Sequence, residues 1–330
     1  ELKRVLVGPH SAGADPGPAC YGSGGTDPAV TDANLLLGRL DAETFAGGAI
    51  KLDESAAKKA VDGNVSKPLN SNVIEGAQSI IEIVDENMAN AARVHAVERG
   101  SDSSARTLIG FGGGAPLHAL SLARKLGISR VVIPADAGVG SAIGFLLAPI
   151  AYEVVRSRFT LLNEFEAEPI NKLFEEMQSE ALRTVELAAG QASIIERRHA
   201  YIRYAGQGHE IKIELPNHSL GSLDRANIQD RFEAAYRTQY GQTVPGMDIE
   251  ILTWSIVVSA KPSEKPKRLI SDQNGSPRTD NLRSDKGIRS VDFGAETGRH
   301  DCPVYDRDSI SLTDRIRGPA IIVESQSTIV

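Results

Sequence analysis

Residues Phe111–Ala119, FGGGAPLHA, hold the strongest chemical signal in the chain. Three consecutive glycines stand between a strand-like run and the start of a helix. There, unpaired backbone N–H groups and the helix dipole both favour a phosphate or another anion. The spacing is neither GxGxxG nor GxxxxGK[ST], since no lysine follows in the required place, so two familiar nucleotide loops are disfavoured. A purely structural glycine turn is the competing reading. His118 falls in the first helical turn, where it either contacts a ligand or is an ordinary partly buried side chain. Asp32, in VTDANL, is placed to cap a helix or to hold a metal hydrated around a phosphate. His10 and Asp15 occupy a Pro/Gly-rich loop, where they either supply polar groups to a site or serve ordinary surface turn chemistry. Arg203, Tyr204, Gln207 and His209 cluster near Gly206 and Gly208, where they could recognise a planar or carboxylate ligand or serve cross-strand packing. No GxSxG elbow, HExxH or close histidine/carboxylate set is present, so these residues do not spell a self-contained hydrolase.

The elements around these residues follow from periodicity. Prolines 9, 16, 18 and 28 with repeated glycines exclude continuous helix or central strand over 8–40, and Cys20, Tyr21 and Leu35 to Leu37 anchor that loop. Asp53 caps a helix over 54–62, and apolar residues at helical spacing give one long helix over 72–99, closed by Gly100. TLIGF at 107–111 and RVVIP at 130–134 read as two parallel strands joined by a helix that begins at Pro116 and closes at Gly127. Residues 138–149 form a further helix, with Gly140 and Gly144 one turn apart for close packing or for a second ligand contact. Beyond residue 150 the pattern gives strands at 152–162, 193–204, 210–215 and 249–260, with helices at 166–189 and 223–240. The segment 261–289, rich in charge and poor in apolar residues, reads as a long flexible loop. Final strands near Val304–Tyr305 and Ala320–Val323 are expected to rejoin the preceding sheet.

Composition limits the partners. The chain has 330 residues, enough for two domains divided near residue 150, expected as 1–150 and 151–330. A formal charge of −7 is the wrong sign for tracking nucleic acid or anionic lipid. No apolar run is long enough to span a bilayer, and no leader-like start is present, so a cytoplasmic protein is expected. Two distant cysteines, Cys20 and Cys302, argue against a disulfide framework and a structural zinc site. The abrupt strand-like opening suggests a piece of something longer.

Four blocks, VGPHSAGADPGPACYGSGGTDPAVTDANLLLGRLD, IGFGGGAPLHALSLARKLGI, RVVIPADAGVGSAIGFLLAPIAYEVVRS and GPAIIVESQSTIV, closely resemble the hydantoinase A / 5-oxoprolinase family. That family includes ATP-dependent N-methylhydantoinase, 5-oxoprolinase and the large subunits of acetone and acetophenone carboxylases. The resemblance implies an α/β and α+β chain: part of an actin/sugar-kinase-like (ASKHA) ATPase lobe, then a mixed α+β C-terminal domain. It implies ATP and Mg2+ as cofactors, with Gly112, Gly113, Gly114, Ala115 and Pro116 matching the second glycine-rich nucleotide motif and Asp32 as a further nucleotide contact. It assigns no catalytic or metal-ligating residue. The DxGGTxTD-type and DMGGTSTD-like motifs of the family are absent, so the resemblance implies a C-terminal half acting with an N-terminal half and a hydantoinase B type subunit. The implied chemistry is phosphorylation of an amide or enolate oxygen, or of bicarbonate, with a cyclic amide or ketone as substrate. A noncatalytic scaffold module is the alternative, and a dinucleotide-dependent oxidoreductase is disfavoured by the missing fingerprint.

Overall fold

The structure is a computed structural model that describes residues 4–190, 192–261, 286–295, 297–311 and 313–330. The chain is mixed α/β and α+β, and it divides into two compact units, 1–145 with 272–330, and 146–271.

In the first unit, α1 (Val30–Leu36), α2 (Glu54–Val61), the single turn α3 (Lys67–Leu69) and the long α4 (Val73–Glu98) pack around Leu35, Leu37, Val61, Ile80 and Ile81. Local chemistry sets their ends. Asp53 accepts the N–H of Ala56 at the start of α2, and Asn72 exchanges reciprocal bonds with Glu75 at the start of α4. Then β1 (Leu108–Ile109), α5 (Ala115–Lys125) and β2 (Val131–Val132) form the expected strand, helix, strand unit, with the two short strands parallel. Helix α6 (Gly140–Leu147) follows and has no buried residue. The close packing expected of Gly140 and Gly144 is therefore not found. A Cβ on Gly140 would reach Phe111 only at 3.8 Å, and one on Gly144 would meet nothing within 4 Å.

The second unit is a four-stranded sheet with two helices. In chain order it runs β3 (Ala151–Leu161), α7 (Ala167–Ala189), β4 (Ile194–Tyr204), β5 (Ile211–Leu215), α8 (Asp224–Tyr240) and β6 (Ile249–Ala260). The strand order is β3-β6-β4-β5, antiparallel throughout. Strand β6, rich in β-branched residues, lies at the centre and buries Ile251, Trp254, Ile256 and Val258. Trp254 meets Phe174 of α7 edge-on at 5.9 Å, and Tyr204 meets Phe232 and Tyr236 of α8 at 5.0 and 4.8 Å.

The last strands, β7 (Ile288–Asp292), β8 (Arg299–Asp306), β9 (Ile321–Val323) and β10 (Thr328–Ile329), do not rejoin that sheet. They form a separate sheet, β10-β9-β8-β7, within the first unit. The physical reason is that these four strands satisfy one another, β8 pairing with β7 and β9 and β10 pairing with β9, so their ladder is met without an edge of β3 or β5. Most of the loop expected over 261–289 lies outside the described residues, and its end, Ile288 onward, is strand.

Candidate functional site

In the first unit the glycine loop leads into α5 beside a cavity of about 460 Å³. Gly113 and Gly114 line it, and Leu117 and His118 continue its wall along the first turn of α5. Gly112 turns the chain at φ +101°, where an L side chain would be strained, and its N–H is tied to the carbonyl of Ala137 at 2.6 Å. No side chain caps α5, whose N-cap is Gly114 and whose first turn contains Pro116. Pro116 has no N–H to satisfy, and among the described residues the N–H groups of Gly113, Gly114 and Ala115 have no acceptor. Three successive free donors at the positive end of a helix dipole are a site for an anion.

The opposite wall comes from α1 and the loops on either side of it. Asp32 organises this wall from beneath. Fully buried, it accepts the backbone N–H groups of Cys20 (2.7 Å), Ala19 (3.2 Å) and Ala29 (2.8 Å), which pins the Pro/Gly loop onto α1. The carboxylate is spent on the backbone and does not line the cavity. Above it, Tyr21 and Phe45 bring an aromatic pair to the wall at 6.0 Å. The Cys20 thiol is buried, and burial first, then Asp32, pushes its ionisation far up, so it is no nucleophile at neutral pH.

His118 is 8 % exposed and sits in a chain of polar contacts. Its Nδ1 lies 2.7 Å from Oδ1 of Asp85 on α4, and its Nε2 lies 3.4 Å from Nδ2 of Asn34 on α1. The same Asn34 amide donates to the carbonyl of Val30 at 3.2 Å. With Asn34 donating on that side, Nε2 of His118 accepts and Nδ1–H donates to Asp85. The chain ties α1, α4 and the first turn of α5 together at the cavity.

The floor comes from β9, β10 and the turn between them, 324–327. A Cβ on Gly138 would stand 2.4 Å from the carbonyl oxygen of Gln326, so only glycine permits this close approach. The two described charged residues lining the cavity are acidic, and each has a guanidinium partner. Asp41 pairs with Arg289 at 2.9 Å, and Glu324 lies 3.7 Å from Arg307. Burial opposes ionisation of Asp41, but the N–H groups of Glu43 and Thr44 and the charge of Arg289 hold its carboxyl below the ordinary value. Among the described residues no lysine or arginine lines the cavity, so anion stabilisation there falls to the backbone dipoles of this loop.

Of the residues singled out from sequence, the structure thus brings Gly113, Gly114 and His118 to one cavity. Gly112, Ala115 and Pro116 shape the loop, and Asp32 lies behind the wall. His10 and Asp15 are exposed and stand outside the cavity. The cluster near Gly206 is occupied by packing: Arg203 pairs with Glu250 at 2.9 Å, Gln207 donates to the Tyr236 hydroxyl, and the buried Tyr204 hydroxyl accepts from Val244. Asn34, Asp85, Tyr21 and Phe45 were not anticipated as site residues. Among the described residues no group of three or more His, Cys, Asp or Glu could hold a metal ion, and no helix is long and apolar enough to cross a membrane.

Comparison with known proteins adds a second line. The hydantoinase/oxoprolinase family profile matches residues 1–154, and the hydantoinase/oxoprolinase C-terminal domain matches residues 162–330. The caprolactamase alpha subunit of Pseudomonas jessenii is 32% identical over 329 residues, covering 98% of this chain and 47% of that protein. The acetophenone carboxylase gamma subunit of Aromatoleum aromaticum is 29% identical, with 99% and 45% covered. The crystal structure of the ATP-dependent caprolactamase from Pseudomonas jessenii superposes with a TM-score of 0.75 over 97% of this chain and 46% of that one. A nucleotide-free acetone carboxylase, 24% identical, shares the fold at a TM-score of 0.74 over 99% and 47%. The chain spans about half the length of these relatives.

Proposed function

The chain belongs to the hydantoinase/oxoprolinase family, and on that premise we propose that it is the C-terminal part, or a split subunit, of an ATP-dependent enzyme acting on a cyclic amide or a ketone. The observation that carries this reading is the row of unpartnered N–H groups at Gly113, Gly114 and Ala115, set on a cavity large enough for a small organic ligand. ATP, when bound, supplies the phosphoryl group that turns an amide or enolate oxygen, or bicarbonate, into an activated species. This chain's part is positional: the glycine loop approaches the anion with backbone donors, Tyr21 and Phe45 offer an apolar wall, and Asp32 holds the loop that carries Tyr21. The Mg2+ expected from the family resemblance has no ligand set among the described residues, so no step is assigned to it here.

Completion by other polypeptide is part of the proposal. The parallel pair β1 and β2 stands as a two-stranded sheet, with Ile109 60%, Phe111 56% and Val132 43% exposed. An isolated parallel pair is a poor independent structure, because parallel sheets are normally covered on both faces. An N-terminal half would add strands and cover these residues, and a hydantoinase B type subunit would complete the substrate site. The test is ATP hydrolysis by the chain combined with both partners, measured against hydantoin, oxoproline, a lactam and a simple ketone. Turnover stimulated by one of these substrates supports the reading. Nucleotide binding that is absent even in the assembled complex refutes it in favour of a scaffold.

A further inference from the structure

A second cavity of about 940 Å³ opens between α4, α5 and residues Phe293, Gly294, Ala295 and Thr297, and its buried cation plays no part in the glycine-loop site. Arg39 is 7% exposed, yet its guanidinium makes no hydrogen bond and no ion pair among the described residues, and its Nε is fully enclosed without a partner. The backbone that carries it is fixed. Gly38, at φ +77°, packs so close to β7 that a Cβ would lie 2.1 Å from the carbonyl of Ser290, and the Leu37 carbonyl accepts the N–H of Asp292. The side chain is therefore presented to the cavity from a rigid corner.

The nearby acids do not serve as its partners. Asp85 gives Oδ1 to His118, and Asp292 accepts from Gln78 (2.6 Å) and the N–H of Gly294 (2.9 Å) while its other oxygen lies 3.8 Å from Arg299. The remaining acids on the cavity wall are also engaged: Glu82 with Lys125, and Glu75 with the start of α4. Asp85 and Asp292 sit close enough to offset part of the burial that disfavours the charge on Arg39, but neither meets its donors. Arg124, on the same cavity, is likewise without a partner among the described residues. A buried guanidinium whose Nε is enclosed without a partner and whose terminal nitrogens make no hydrogen bond to the described residues is costly, and its planar fork matches a carboxylate or a phosphate.

We propose that this cavity is an oxyanion site, separate from the glycine-loop cavity, in which the Arg39 guanidinium takes a phosphate or carboxylate group of a small ligand and Arg124 steers it from the rim. Ser121 and Thr297 on the walls offer further hydroxyl donors.

The test is calorimetric titration of the protein with inorganic phosphate and, separately, with acetate, at constant ionic strength made up with chloride. Saturable binding of phosphate alone assigns a phosphate group, and binding of acetate assigns a carboxylate. Arg39→Met should weaken that binding by at least about tenfold while leaving the anion-free melting temperature unchanged or higher. Arg39→Lys, which keeps the charge and loses the fork, should weaken it less. Arg124→Gln should weaken it about threefold with no change in stability. The component of binding lost in Arg39→Met should persist in Gly113→Val, which separates this site from the glycine loop. No saturable heat with either anion, or equal heat in wild type and Arg39→Lys together with a lower melting temperature in Arg39→Met, would overturn the proposal and make Arg39 a structural counter-charge to Asp85 and Asp292.

Discussion

Replacing Asp32 separates a carboxylate that builds the site from one that touches a ligand. Its two oxygens satisfy three backbone donors, on Ala19, Cys20 and Ala29, in surroundings where Asp32 and Cys20 are fully buried. Each buried donor left unpaired costs about 1–3 kcal/mol, so with three donors Asp32→Ala should destabilise this unit by about 3–9 kcal/mol. Asp32→Asn keeps the shape but turns an amide NH2 toward an N–H, and should cost about 2–4 kcal/mol. Total stabilities of about 5–15 kcal/mol make either loss easy to measure. Hydrogen exchange of the Ala19, Cys20 and Ala29 amides is the direct assay, with acceleration of about a thousandfold expected for a local loss of about 4 kcal/mol. Trp254, the sole tryptophan, lies in the other unit, and its fluorescence serves as an internal control that should not change. If Asp32→Asn exchanges like the wild type and loses only nucleotide affinity, Asp32 is a ligand contact and the structural reasoning fails.

Gly138→Ala should destabilise the cavity floor by about 2–4 kcal/mol, because its Cβ would press on the Gln326 backbone, and urea unfolding followed by circular dichroism measures the loss. His199, in the second unit, has its ionisation pushed below the ordinary 6.5, by burial first and by Lys212 second. The unfolded chain then binds the extra proton, so the stability of this unit is fully present above about pH 6.5 and falls as pH drops through the lowered folded value. His199→Gln should flatten that dependence in melts followed by Trp254 fluorescence. The isolated chain should self-associate through the open faces of β1 and β2, with Ile109→Ser and Val132→Ser reducing the sedimentation coefficient, whereas a wild-type chain that stays monomeric would contradict the exposed-surface reasoning.

The limits of sequence reading were set by distance along the chain. Strand β6 was legible to its ends because β-branched residues recur along its whole length, and α4 because its apolar residues recur at helical spacing up to Gly100. The glycine loop was legible for the same reason, since the donors it frees come from consecutive residues. What could not be read were pairings between remote segments. Asp85 lies within an apolar helical stripe, and nothing near it signals His118, 33 residues on. Asn34 sits before three leucines and reads as an ordinary first-turn residue until α5 folds against it. The sheet β7 to β10 was assigned to the wrong neighbour because strand propensity says nothing about which edge is free. Arg39, similarly, is an unremarkable basic residue in sequence and becomes conspicuous only once its enclosure and lack of partners are seen.

The claim that the glycine loop holds the anion of a nucleotide is tested most directly at Gly113. Its φ is not in the left-handed region, and a Cβ there would meet only the Gln326 carbonyl at 3.5 Å, an ordinary contact, so Gly113→Val leaves the fold intact while placing a branched side chain where backbone must approach the ligand. The measurement is calorimetric ATP affinity of wild type and Gly113→Val, each assembled with the N-terminal half, alongside thermal unfolding of the same samples. The expected result is an affinity loss of at least about tenfold with the melting temperature unchanged within about 2 °C. Unchanged ATP affinity in a well-folded variant would contradict it and remove the loop from the site.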